Sequence, residues 1–270
     1  MSAFAVHFSF EFRTGLRNKT LLLMNYLLPL GFYVMMGLIM AEINPLFRPT
    51  MVPAMVVFAV LSGAILGLPD PLVAAREAGI FRSFKINGVP AESILTIPAL
   101  TTVVHTAIVS AVIAATAPAL FRAQTPTNWG SFVLVSLATM LACTGLGLLI
   151  GVISASSRVT VLWSQLIYLP SMMLGGMMLP SSLLPSSVAK VSLLLPSTYA
   201  MSAYQGLAMG QAAAFDPLRS LAVLIAGGVL AFALALYLFN WDRRNAASRG
   251  HPALAVLALA PYVAGLLLLG

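Results

Sequence analysis

Residues 51–69, MVPAMVVFAVLSGAILGLP, run nineteen positions without one charged side chain. A bilayer's hydrocarbon core is ~30 Å thick, and about 20 apolar residues of helix cross it. One run precedes this stretch, Leu21–Ala41, and four follow, Ile94–Pro118, Ser131–Ser154, Val159–Leu179 and Leu218–Asn240. A seventh, Ala253–Gly270, is only just long enough. The chain has 270 residues, of which 60% are hydrophobic and 8% charged, whereas soluble domains carry about 25% charged residues. The expected fold is therefore an all-α polytopic membrane protein. It has six transmembrane helices and a seventh at the C-terminus, in one transmembrane domain over residues 1–270.

The net charge of +7 does not point to nucleic acid, because the basic residues fall in short segments between apolar runs. There they act as topology signals and contacts to membrane lipid. With the N-terminus inside, Arg13, Arg17, Lys19, Arg76, Arg82, Lys85, Arg158, Arg243, Arg244 and Arg249 are cytoplasmic. Only Arg48, Arg122, Lys190 and Arg219 are outside, so the positive-inside rule places the N-terminus in the cytoplasm. Trp129, Trp163 and Trp241 fall at span ends, where interface anchors belong. If the seventh run crosses, the C-terminus is outside. The single cysteine, Cys143, sits inside an apolar run and leaves the redox compartment open.

Three stretches depart from plain spans. Over residues 3–19, Phe4, Phe8, Phe12 and Leu16 recur on one face, with Arg13 and Arg17 elsewhere, as in an amphipathic helix lying on the membrane surface. Between the second and third runs, EAGIFRSFKINGVP at 77–90 groups Ile80, Phe81 and Phe84 on one face and turns Arg82 and Lys85 away. It is expected as one short helix within 74–88, with Glu77 in its first turn, Asn87-Gly88 at its end and Pro90 preventing continuation. An interfacial helix and a docking helix for a cytoplasmic partner both satisfy helix physics alone. The third stretch, 180–210, stays apolar but is broken by Pro180, Pro185 and Pro196. Irregular backbone cannot face lipid, so two re-entrant half-helices are expected after the fifth span, Leu183–Leu194 and Ser197–Met209.

Catalytic chemistry is sparse. The six longer runs hold one mid-run ionisable residue, His105, flanked by Thr101, Thr102 and Thr106, which are expected to satisfy a neutral imidazole. Asn25, Tyr26 and Gln165 are the other polar residues in or near spans. No paired carboxylates, G-x-S-x-G or metal-ligand spacing of His7, His105 and His251 occurs. GLRNKT at 15–20 places Asn18 where a phosphate loop needs its second glycine. The chain is expected to be no enzyme, with no catalytic residue, metal or cofactor of its own. A transporter of this kind takes its energy from an external gradient or an external motor. The runs GAILG (63–67), GLLIG (147–151) and GLAMG (206–210) permit close helix packing, and SMMLGGMML (171–179) is dense in adaptable methionine.

Together these features resemble the permease subunits of ABC-2 type transporters, mostly exporters, over roughly residues 3–245. Glu77, Gly79, Arg82, Phe84 and Lys85 match the family's coupling-helix pattern, Glu-x-Gly followed by alternating basic and apolar residues. Gly175-Gly176, Pro180, Pro185, Pro196 and Tyr199 match its proline-punctuated re-entrant pair ending near Pro-x-x-Tyr. Two departures stand out: Asn87-Gly88 before Val89-Pro90, where the family more often has Thr-Pro or Ser-Pro, and the tail 251–270. The resemblance implies a separate cytoplasmic ABC ATPase, two copies per transporter, which binds the ATP and Mg. It also implies a second permease copy or a paralogue. The ATPase would grip Arg76, Glu77, Gly79, Ile80, Phe81, Arg82, Phe84 and Lys85. Ile80, Phe81 and Phe84 would fill its groove, and Glu77, Arg82 and Lys85 would set register. Tyr26, His105, Gln165, Met172, Met173 and Tyr199 are the candidates for a translocation pathway that favours a hydrophobic or amphipathic cargo. A gradient-driven or passive carrier relying on His105, and a membrane scaffold that moves nothing, are the competing readings.

Overall fold

The computed structural model describes residues 3–44, 47–178, 184–241 and 250–269, and every regular element among them is helical. In chain order these are α1 (Ala3–Arg17), α2 (Lys19–Met40), α3 (Phe47–Glu77), α4 (Ile80–Ile86), α5 (Ala91–Phe121) and α6 (Trp129–Ile153). There follow α7 (Ser157–Leu174), α8 (Ser186–Ser192), α9 (Pro196–Ala203), α10 (Pro217–Leu238) and α11 (Pro252–Leu269). Local chemistry fixes several of the starts. Asn18 accepts hydrogen bonds from the Thr20 and Leu21 amides, Asn128 from Ser131 and Asp216 from Arg219. Proline opens α9, α10 and α11, where its missing N–H costs nothing.

Five helices, α2, α3, α5, α6 and α10, are long and apolar enough to cross a membrane. The fifth expected span, Val159–Leu179, forms α7, which stops at Leu174 before Gly175. With Arg158, Gln165 and several serines, α7 is less apolar than those five. The second span differs most from expectation. Its helix does not stop at Pro69 but continues to Glu77, because Pro69 is the first residue of a new turn after a π-helical segment, Ser62–Gly67.

That continuation also corrects the expected single helix over 74–88. Gly79 adopts φ 75, a left-handed conformation that breaks the helix and starts α4 at Ile80. Glu77 therefore closes α3 instead of opening the coupling helix; the carboxylate in the first turn of Pro69–Glu77 is Asp70. Asn87 and Gly88, with φ 73, follow α4, and Pro90 precedes α5.

The core is built around α3, whose most apolar eighteen-residue stretch is 94% buried. Its glycines and those of α6 set how near the helices lie. A Cβ at Gly147 would collide with the Ala64 carbonyl, and one at Gly151 would stand 3.2 Å from the Pro69 carbonyl. One at Gly63 would sit 2.6 Å from Thr106 Cγ2 and 2.8 Å from Asn25 Oδ1. GAILG and GLLIG thus pack helices within this subunit. On its other side α6 meets α10, where a Cβ at Gly145 would stand 2.7 Å from the Gly228 carbonyl.

After α7 the chain returns along it. Ser197 Oγ donates to the Ser171 carbonyl (3.2 Å), so α9 begins beside the last turn of α7. A π-helical turn, Tyr204–Ala208, extends α9 until the Ala208 carbonyl accepts from Thr127 and Asn128, beside the start of α6. Pro196 separates α8 from α9 and Pro185 precedes α8. Pro180, Arg243, Arg244 and Arg249 lie outside the described residues, as does the side chain of Phe4. At the C-terminus α11 runs antiparallel along α10, with Gly250 against Leu238 and Tyr262 against Gly227.

Candidate functional site

The surface helix α4 has two faces. Phe81 is 5% exposed, its ring centroid 5.6 Å from that of Phe239, while Phe84 is half-buried and meets the His7 ring edge-on at 5.7 Å. The aromatic pair expected to fill a partner's groove is thus turned largely into this chain. The reason is simple burial, since both rings find apolar cover in their own subunit. Ile80, Arg82, Ser83, Lys85 and Ile86 form the exposed face, with Ile86 79% exposed. Glu77 and Gly79 are exposed beside it. Arg76 instead points inward, where its guanidinium donates to the Val152 carbonyl (2.8 Å) and to that of Ser154. The carbonyls that α6 leaves unpaired at its C-terminus are thereby satisfied, and the end of α3 is tied to the end of α6.

Beside α4 lies an open cavity of about 490 Å³ lined by α1, α2, α3, α4 and α5. Its deepest polar groups are Asn25 and His105, 3% and 2% exposed. Tyr26 hydroxyl lies 2.6 Å from His105 Nδ1. The threonines do not supply the expected satisfaction: Thr101 and Thr106 hydroxyls donate back to the carbonyls of Pro98 and Thr102, 2.9 Å each. Such back-bonding is the short route for a helical threonine, and it leaves the imidazole to Tyr26. His105 Nε2 and Asn25 Oδ1 have no hydrogen-bond partner.

The helix α1 forms the cavity's lid. Its expected phenylalanine face is not left wholly to lipid, because Phe12 stacks on His105 at 4.5 Å. Gly15 permits this approach, since a Cβ there would sit 2.8 Å from His105 Nε2. One turn earlier, Glu11 lines the cavity half-buried, and burial raises its carboxyl above the usual value of 4.5, with His7 pulling it back. Glu11 carried no signal in the sequence beyond its place on an amphipathic helix. Asn25 stood out only as a lone amide in an apolar run; its role emerges where two π-helical turns, Leu23–Leu27 and Ser62–Gly67, meet.

Tyr26 and His105 alone among the pathway candidates come together. Gln165 and Met172 are half-buried on α7, and Met173 is exposed there. Tyr199 is fully buried, its hydroxyl donating to the Tyr262 carbonyl (3.2 Å). Among the described residues no group of three or more His, Cys, Asp and Glu side chains could hold a metal ion.

No curated protein and no solved structure matches the chain. The family description "ABC-2 type transporter" matches residues 2–209, which contain α1, the cavity, α4, α8 and α9. As that match takes in well over half of the 270 residues, the chain belongs to the ABC-2 type transporter family and is a multi-pass membrane permease of an ABC transporter, not itself catalytic.

Proposed function

We propose that this permease exports a hydrophobic or amphipathic compound and is driven by a separate cytoplasmic ABC ATPase that docks on α4. The observation that carries the reading is the two-sided character of α4. One face is keyed into the bundle by Phe81, and the other exposes Ile80, Lys85 and Ile86 at the surface. Apolar anchors ringed by charge are the usual makings of such a contact. The docking residues proposed here are therefore Ile80 and Ile86, with Glu77, Arg82 and Lys85 setting register, in place of Phe81 and Phe84. Force on α4 passes to α3, a helical path of 31 residues or about 46 Å, and through Arg76 to α6. Two ATPase copies binding ATP and Mg, and two permease copies or this chain with a paralogue, complete the proposed transporter.

We place the N-terminus in the cytoplasm and the protein in the inner membrane, following the charge bias. The pair α8 and α9 is read as re-entrant from the outer face. We take α11 as a crossing segment together with α7. The eight residues Pro252–Leu259 are 3₁₀-helical and rise ~2 Å each, and the ten of Ala260–Leu269 add ~1.5 Å each, about 31 Å in all. That length matches the hydrocarbon core.

The test is co-purification of a soluble ABC ATPase with the tagged permease. Ile86→Asp should abolish association and ATPase stimulation while leaving the permease folded. ATPase retention by Ile86→Asp and Ile80→Asp alike, or no ATPase with the unaltered chain, would overturn the docking reading.

A further inference from the structure

The cavity under α1 has a composition that the motor reading does not require. The whole chain is basic, with fourteen Lys and Arg against seven Asp and Glu. Yet among the described residues the lining contains no Lys or Arg and one carboxylate, Glu11. Among the described residues no salt bridge to Glu11 is formed, and its electrostatic neighbour is His7. Phe10, Phe81 and Phe84 add aromatic surface, and Leu21, Leu72 and Ile94 add aliphatic surface. At the floor, Asn25 Oδ1 is a buried acceptor without a donor, and His105 Nε2 is equally unpartnered.

We propose that this cavity is a binding site for a lipophilic organic cation, one positive centre carried on an apolar body. Aromatic faces attract cations through the ring quadrupole, and a half-buried carboxylate supplies the charge-assisted contact. The volume of about 490 Å³ suits a drug-sized molecule. An anion would meet Glu11 and no fixed positive charge, and a neutral apolar guest would bury Glu11 without a partner. Binding here stands whether or not the bound cation is then moved.

The experiment uses the full chain in nanodiscs without any ATPase, so a failure of the motor reading leaves it untouched. The probe is rhodamine 6G, with anionic fluorescein as counterpart and empty nanodiscs as background. Saturable binding of rhodamine 6G at one site per chain is expected, with none of fluorescein. Glu11→Gln should weaken it about tenfold, the equivalent of one charge-assisted hydrogen bond. Ala75→Phe, which fills the cavity, should remove it. Binding should also fall as pH is lowered, from above the ordinary carboxylate range, because burial raises the Glu11 carboxyl. His7 on α1 and His105 on α5 are the other titratable groups that face the same space. Unchanged affinity in Glu11→Gln, equal binding of fluorescein, or no saturable site would each overturn the proposal.

Discussion

Phe81 and Ile86 sit five positions apart on one short helix and face opposite environments. Phe81 packs on Phe239, which lies 158 positions later in the chain, whereas Ile86 is left in the open. Helical spacing alone groups Ile80, Phe81 and Phe84, but it does not say which side of α4 the bundle occupies. Phe81→Ala should therefore lower thermal stability of the purified permease, by about 3 kcal/mol as for other buried aromatic truncations. Ile86→Asp should leave the same melting curve unmoved. Equal melting temperatures for Phe81→Ala and the unaltered chain would mean that Phe81 is not part of the core. His105 teaches a related lesson. Its neighbours in sequence turn their hydroxyls to their own backbone, and its partner, Tyr26, comes from another helix.

At the scale of elements, apolar runs and caps were legible because length and hydropathy leave few alternatives in a bilayer. The breaks were less so. A π-helical turn at Ser62–Gly67 carries the second span past Pro69, and a left-handed Gly79 splits what periodicity reads as one helix. The glycine spacings marked close packing without naming the partner helix. With that partner known, Gly147→Ala is expected to destabilise the permease by about 2 kcal/mol, because its Cβ meets the Ala64 carbonyl and backbone cannot step aside. Gly31→Ala, where a Cβ meets nothing within 4 Å, should be neutral or slightly stabilising. Thermal denaturation of the two variants side by side decides it, and equal melting would mean that α3 and α6 are not held this close.

For the whole molecule, the open question of the seventh run becomes geometric. α11 lies along α10, with Tyr262 against Gly227 and a Cβ at Gly265 barred by the Tyr199 hydroxyl. Its 3₁₀ portion lengthens eighteen residues to the thickness of the core. A C-terminal alkaline phosphatase fusion should thus be active and a fluorescent-protein fusion dark. The reverse pattern would return the C-terminus to the cytoplasm. The class of the fold, the order of its spans and the family were present in the sequence. Composition, run length and proline punctuation act locally, and lipid enforces helices wherever they occur. The facing of α4, the partner of His105 and the cavity under α1 came only with the tertiary structure. Each is a meeting of side chains far apart in the chain, and which faces meet is decided by glycine-set approach and burial, not by periodicity along one helix.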